Sequence, residues 1–102
     1  MEKRDYLIVL YDYYGDLFTN KQKEYFEDYY FNNLSLGEIS DNINISRNAV
    51  HKVIKSVEDK LLFYEKVLKL YKKSILLREI IDKVEDSELK SELERLIWDE
   101  FH

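Results

Sequence analysis

The chain has 102 residues, which is enough for one domain with a modest core but too few for two independent domains. It contains no proline and only two glycines, so the composition favours an all-α fold. It also contains no cysteine. This excludes disulfides, thiolate metal sites and cysteine nucleophiles, and makes a reducing cytoplasm the default compartment. The longest apolar runs are too short to span a bilayer and the N-terminus lacks a small-residue cleavage site, so we predict a cytoplasmic protein that does not insert into a membrane.

The formal net charge of -5 is unevenly distributed. Residues 1–45 hold 4 basic and 9 acidic side chains, residues 46–73 hold 8 and 3, and residues 74–102 hold 4 and 9. A positive segment between two negative ones can direct an anionic partner to one place, because the flanking acids repel phosphate elsewhere. The alternative is that charges on exposed helix faces vary by chance.

Two aromatic-rich helices are predicted first. Residues 3–14 carry apolar side chains at i, i+3 and i+4 spacing, and Gly15 follows as a helix stop. Thr19 with Gln22 three residues later has the pattern of a capping box, which opens a second helix that ends at "FNN". The stripe on the first helix consists of Tyr6, Leu7, Leu10, Tyr11 and Tyr14.

A helix-turn-helix motif is predicted next, against the alternative of an arbitrary helical bundle. Ser35 with Glu38 is a second capping box, which opens a third helix to about Asn42, and Ser46 caps a fourth. The residues at the fixed positions of the motif are a small residue where the helices cross, a turn residue that tolerates positive φ and an aliphatic plug. These are Ser40, Asn44 and Val50, with Ile39, Ile43 and Ile45 as further buried contacts.

From Val50 the apolar residues of the fourth helix alternate at spacings of four and three, a heptad pattern that predicts one helix through Ile75. Its distal half, about residues 60–73, needs a partner, which is either the C-terminal helices or a second subunit. A homodimer would use Leu61, Tyr64, Leu68 and Tyr71.

The C-terminal part is predicted to be an acidic helical extension. "EDSE" marks a break with Asp86 as the cap of a final helix, whose apolar residues are Leu89, Leu93, Leu96, Ile97 and Phe101. We therefore divide the chain into a helix-turn-helix domain with a long last helix, residues 1–73, and an extension, residues 74–102, within the same structural unit.

The outer face of the fourth helix carries the candidate nucleic-acid contacts. Because Val50 and Val57 point inward, the exposed residues of its first turns are Arg47, Asn48, His51, Lys52 and Lys55. Arginine suits guanine or phosphate, asparagine can pair with adenine, and lysines neutralise phosphates. The alternative is an ordinary solvated helix face.

The sequence gives little support for metal binding, catalysis or cofactor binding. The two histidines have no partner at metal-ligand spacing, so no metal site is expected, and acidic pairs such as Glu27 and Asp28 suit a solvated face better than a catalytic pair. No glycine-rich loop could hold a nucleotide cofactor. The tyrosines fit core and rim positions better than a base-stacking platform. We expect neither an enzyme nor a cofactor.

"SLGEISDNINISRNAVHKVIK", together with "LYDYYGDLFTNKQKEYFEDYY", resembles the YlxM family of small bacterial helix-turn-helix proteins. The resemblance covers about residues 5–73 and implies a domain similar to region 4 of sigma factors. Family members are encoded beside the signal-recognition-particle GTPase genes and are linked to that targeting pathway, which implies RNA as a ligand at least as readily as promoter DNA.

Carried over by position, the "SRNAVH" motif assigns recognition-helix roles to Ser46, Arg47, Val50 and His51. The chain departs from the family pattern at three positions. Lys52 stands where the family tends to have an acidic residue, Val53 where it has asparagine and Ser56 where it has arginine. The first departure makes the face more basic, and the last removes a phosphate contact.

Three functions remain open. The first is an accessory or regulatory factor of the signal-recognition-particle pathway that binds structured RNA or its ribonucleoprotein through the 46–55 face. The second is a DNA-binding transcriptional regulator that uses the same face in a major groove. The third is a protein-interaction module, in which the long helix and the acidic extension contact a GTPase or another subunit. A homodimer is compatible with all three.

Overall fold

The computed structural model describes residues 1–101, with side chains for residues 1–99. The predicted all-α fold is confirmed, since these residues form helices and no strand. The molecule measures 56 × 23 × 22 Å. In chain order the elements are α1 (Lys3–Tyr14), a short 3₁₀ helix (Gly15–Leu17), α2 (Asn20–Tyr30), α3 (Leu36–Ile43), α4 (Arg47–Leu68), α5 (Leu70–Ile81) and α6 (Ser87–Phe101).

The predicted helix starts are present. The Thr19 hydroxyl accepts from the Gln22 backbone N–H at 3.2 Å, and the Gln22 side-chain amide oxygen accepts from the Thr19 backbone N–H at 2.9 Å. Ser35 and Glu38 form the same reciprocal pair at 3.0 and 3.1 Å. The Asp86 carboxylate accepts from two N–H groups in the first turn of α6. These side chains satisfy helix-end donors that would otherwise lack partners.

Gly15 ends α1, but for a different reason from the one expected. Its backbone is right-handed, with φ -54°, and the chain continues into the 3₁₀ helix. Gly15 is buried, and a Cβ there would lie 3.3 Å from the Tyr11 ring. Close packing against that ring, rather than a left-handed cap, is what glycine permits here.

The core forms where α1, α2 and α3 pack around the N-terminal two-thirds of α4. Phe26, Ile39, Val50, Val57 and Leu61 are fully buried in it. Farther along α4, the Tyr64 ring lies 5.8 Å from Tyr14 and 5.9 Å from Phe18. The distal half of α4 is therefore covered in part by α1 and the segment just after it, which the heptad pattern does not indicate.

The prediction of one helix through Ile75 is wrong. α4 ends at Leu68, and Lys69 adopts the left-handed conformation at φ 58° before α5 begins at Leu70. We call residues 68–70 the elbow. The predicted boundary at residue 73 falls inside α5, and the division of the chain into a domain and an extension stays a prediction.

A buried glutamate on α4 stabilises the elbow. The Glu65 carboxylate accepts from the backbone N–H groups of Tyr71 and Lys72, both at 3.1 Å. The Tyr14 hydroxyl donates to Glu65 at 2.7 Å and accepts from the Leu70 N–H at 3.1 Å. Three N-terminal donors of α5 are thus satisfied by side chains from α1 and α4, so the interruption of the helix leaves them paired.

α5 and α6 form a two-helix arm. Ile81 and Ile97 are buried, and the Tyr13 hydroxyl on α1 is 2.8 Å from the Ser74 hydroxyl on α5. Of the predicted apolar residues on the last helix, Leu89 and Leu96 are exposed. Phe101, also predicted for that face, lies outside the described side chains, and His102 lies outside the described residues.

Candidate nucleic-acid interface

The turn between α3 and α4 has the geometry that its sequence predicts. Asn44 is left-handed, with φ 57° and ψ 43°, and its N–H bonds to the Ser40 carbonyl. The Ile45 N–H reaches the same carbonyl at 3.3 Å, and the Ser40 hydroxyl donates to the Ile45 carbonyl. The Ser40 side chain thus binds the turn. The predicted left-handed turn at Asn44 is confirmed, and the role of Ser40 at the helix crossing stays a prediction.

The apolar plug of the motif is also in place. Val50 and Ile39 have no exposed surface, and Ile43 and Ile45 are half-buried beside them. Since Val50 faces the core, the opposite side of α4 must face solvent. This fixes the rotation of α4 about its own axis.

The first turn of α4 carries three of the predicted contact residues. The Ser46 hydroxyl accepts from the Ala49 N–H at 3.1 Å, so this side chain caps the helix. Arg47 is exposed, and its guanidinium lies across Gly37 in the first turn of α3, where an added Cβ would come within 2.7 Å of a guanidinium nitrogen. Asn48 is exposed. These residues lie at the start of the helix, where recognition helices contact bases and phosphates.

A shallow groove runs along α4 beyond that first turn, and we call it the basic groove. Its lining residues are His51, Lys52, Lys55, Ser56, Asp59, Lys60 and Phe63. Three of the predicted contacts, His51, Lys52 and Lys55, are brought together there. Asp59, Lys60 and Phe63 were not predicted, although continuing the spacing of four from His51 and Lys52 would have found them.

A second depression adjoins the first at Lys52. It lies between α4 and the start of α2, and Thr19, Lys21 and Gln22 line its other side. Lys21 is a further basic side chain that the sequence analysis missed, because the proximity of α2 to Lys52 is a tertiary contact. Lys52 therefore lies between two depressions that an extended anion could follow.

The three acidic side chains of residues 46–73 are all engaged within the molecule. Glu65 accepts from Tyr14, and Glu58 accepts from the Tyr30 hydroxyl. Asp59 pairs with Lys55 at 3.1 Å on the exposed face. The two glutamates thus point to tyrosines rather than to the basic groove, and Asp59 is the one carboxylate among the groove's lining residues.

The residues predicted for a subunit interface lie mostly within the monomer. Leu61 is fully buried and Tyr64 packs on α1. The Tyr71 ring lies 6.1 Å from Tyr6 and 5.9 Å from Tyr13. Leu68, at 42% exposed, is the most accessible of the four. The homodimer stays a prediction.

Neither a metal-binding cluster nor a bilayer-spanning helix is present among the described residues. No group of three or more histidine, cysteine or acidic side chains is placed to hold a metal ion. No helix in the same part of the chain is both long and apolar enough to cross a bilayer.

Comparison with known proteins gives one family. The family model described as "Putative helix-turn-helix protein, YlxM / p13 like" (UPF0122) matches residues 1–99. A UPF0122 protein from Caldanaerobacter subterraneus subsp. tengcongensis is 47% identical over 81 residues, which cover 79% of this chain and 69% of that protein. One from Ureaplasma parvum serovar 3 is 43% identical over 91 residues, 89% of this chain and 92% of its own. One from Bacillus pumilus is 42% identical over 101 residues, 95% and 92% of the respective chains.

Proposed function

Because the chain belongs to the UPF0122 family of YlxM- and p13-like helix-turn-helix proteins, we propose that it binds nucleic acid through the exposed face of α4 and catalyses no reaction. One observation carries the proposal. The left-handed turn at Asn44 and the buried Val50 set α4 as the second helix of the motif with its basic side outward. The contacts are Ser46, Arg47, Asn48, His51, Lys52 and Lys55.

The ligand we favour is structured RNA, in a cytoplasmic accessory role in the signal-recognition-particle pathway. The family resemblance motivates this choice, and the charge pattern is compatible with it. A double-stranded RNA offers a narrow major groove, so its recognition rests on phosphates and shape, and the basic groove presents lysines for that purpose. The signal-recognition-particle GTPase is the corresponding protein partner.

A second candidate, a DNA-binding transcriptional regulator, is favoured by one observation. Arg47 and Asn48 lie at the exposed start of α4, outside the basic groove. This is the part of a recognition helix that reads base edges in a DNA major groove. A sequence-specific optimum in binding to duplex DNA would favour this candidate, because non-specific attachment is expected of any basic helix.

Charge reversal tests the shared part of the two candidates. Arg47→Glu and Lys55→Glu should each weaken binding and reduce the slope of log affinity against log salt, by about one per lost phosphate contact. Lys3→Glu and Lys83→Glu change the same charge at exposed positions away from α4 and serve as matched controls. Unchanged binding by well-folded Arg47 and Lys55 variants would contradict the proposal.

A competition titration separates the two ligands. The protein is titrated at two salt concentrations against the host's signal-recognition-particle RNA and against random duplex DNA. Selective RNA binding that survives the higher salt is the expected result. Equal and salt-labile binding to both would remove the assignment to the targeting pathway and leave a general phosphate binder.

A further inference from the structure

Phe63 stands at the far end of the basic groove. Its side chain is 59% exposed, whereas the adjacent Tyr64 packs into the core against Tyr14. Single exposed apolar residues are ordinary on protein surfaces. What distinguishes Phe63 is that a continuous row of basic and polar side chains on one helix face leads to it.

The position of Phe63 is too far along α4 for the contacts of a recognition helix. With a rise of 1.5 Å per residue, Phe63 lies about 24 Å from Arg47 along the helix axis. The major groove of B-DNA is about 12 Å wide and receives the first turns of such a helix, and the narrow major groove of an RNA duplex admits still less of it. A duplex seated at Arg47 and Asn48 therefore leaves the Lys60–Phe63 end of the groove to whatever strand extends beyond it.

The side chains of this end suit an unpaired strand. Lys52, Lys55 and Lys60 are exposed and can follow a phosphate backbone. Asp59 is held by Lys55 in an exposed i, i+4 pair, which is weak enough for a phosphate to displace. A basic groove that ends in an exposed aromatic ring has the two parts of a single-strand site, since bases of any sequence stack on such a ring.

We infer that the Lys52–Phe63 stretch of α4 binds unpaired nucleotides adjoining a duplex, with one base stacked on Phe63. This inference rests on the proposed function and deepens it, because it specifies a junction between paired and unpaired nucleic acid as the ligand. Single-stranded RNA and single-stranded DNA share the chemistry involved.

The test compares a blunt RNA duplex with the same duplex carrying a short unpaired adenosine extension. Wild-type protein should prefer the extended duplex by about 5- to 150-fold, the range that stacking of one base gives. Phe63→Leu, which keeps an apolar side chain without the ring, should lose that preference and bind the blunt duplex as before. Val67→Ala is the matched control, since Val67 is equally exposed but is not among the groove's lining residues.

The outcomes separate this inference from the proposed function. Wild-type protein that binds no duplex at low salt, of RNA or of DNA, would overturn the proposed function itself. Equal affinity for the blunt and the extended duplex in both the RNA and the DNA series, an extension preference that survives in Phe63→Leu, or an equal loss of affinity for both duplexes in that variant would overturn the junction site alone. Repeating the titration with a DNA duplex and extension shows which sugar the site accepts; a preference in either supports the inference.

A direct optical readout complements the titration. In a Trp98→Phe background, which removes the one tryptophan of the chain, Phe63→Trp places an indole at the proposed stacking position. Its fluorescence should be quenched by the extended duplex and not by the blunt one. Quenching to the same degree by both would contradict the assignment of the unpaired base to this ring.

Discussion

The buried carboxylate at the elbow can be tested by one nearly isosteric change. Glu65→Gln keeps the size of the side chain but replaces one carboxylate oxygen by an NH₂ donor. In the wild-type protein one carboxylate oxygen accepts from the Tyr14 hydroxyl and the Tyr71 N–H, and the other accepts from the Lys72 N–H. The amide can satisfy the first pair but presents a donor to the Lys72 N–H.

The expected cost follows from this arrangement. One bond to a charged acceptor is lost and two others lose their charge assistance, and hydrogen bonds to charged groups contribute about 1.5–3 kcal/mol each. We expect the free energy of unfolding to fall by about 2–3 kcal/mol. For a domain of this size that lowers Tm by roughly 10–20 °C.

Thermal unfolding followed by circular dichroism measures the effect. Glu24→Gln, at an exposed position on α2, is the matched control and should stay within about 0.5 kcal/mol of wild type. Tyr14→Phe removes the other member of the network, and its combination with Glu65→Gln should be non-additive by at least about 0.5 kcal/mol. A Tm of Glu65→Gln equal to that of Glu24→Gln would refute the structural role of the carboxylate.

Three further predictions concern the turn, the groove and the tyrosines. Asn44→Ala should lower the free energy of unfolding in urea by about 1–2 kcal/mol, because the Cβ of alanine makes the left-handed conformation unfavourable. Asn44→Gly should not be destabilised in this way, and equal stabilities of the two variants would contradict the prediction. Asp59→Asn should release Lys55 and tighten RNA binding at low salt by roughly threefold; weaker binding would count against a phosphate in the groove. Burial first, and then hydrogen bonds to glutamates, raise the pKa of Tyr14 and Tyr30. Unfolded tyrosine titrates near pH 10, so the resulting stabilisation is complete below pH 10 and is lost as the pH rises towards the folded pKa values. Tm measured across that window should fall more steeply for wild type than for Tyr14→Phe, and parallel curves would be the contrary result.

The helix-turn-helix was predictable because its signals are local. The capping boxes at Thr19 and Ser35 and the turn residue Asn44 each act within a few residues of the chain. The spacing from Ser40 to Val50 then fixes which side of α4 is buried. These interactions depend on sequence neighbours, so a pattern of residues is enough to infer them.

The elbow could not be predicted in the same way. Lys69 is neither glycine nor asparagine, and the heptad spacing continues through it. Glu65 and Tyr14, which are 51 residues apart in sequence, supply acceptors for the start of α5 and so stabilise the interruption. The same limit explains why Lys21 was missed beside Lys52. Both depend on tertiary contacts that no local pattern encodes.

The elbow also has a consequence for synthesis on the ribosome. Tyr14 of α1 is made first, but Glu65 of α4, which accepts its hydroxyl hydrogen bond, follows 51 residues later. At about 5–20 residues per second, the residues between Tyr14 and Glu65 take roughly 3–10 seconds to translate. During this interval the side of α1 that α4 covers lacks its native partner. The N-terminal helix therefore reaches its native setting only after the translation of the elbow.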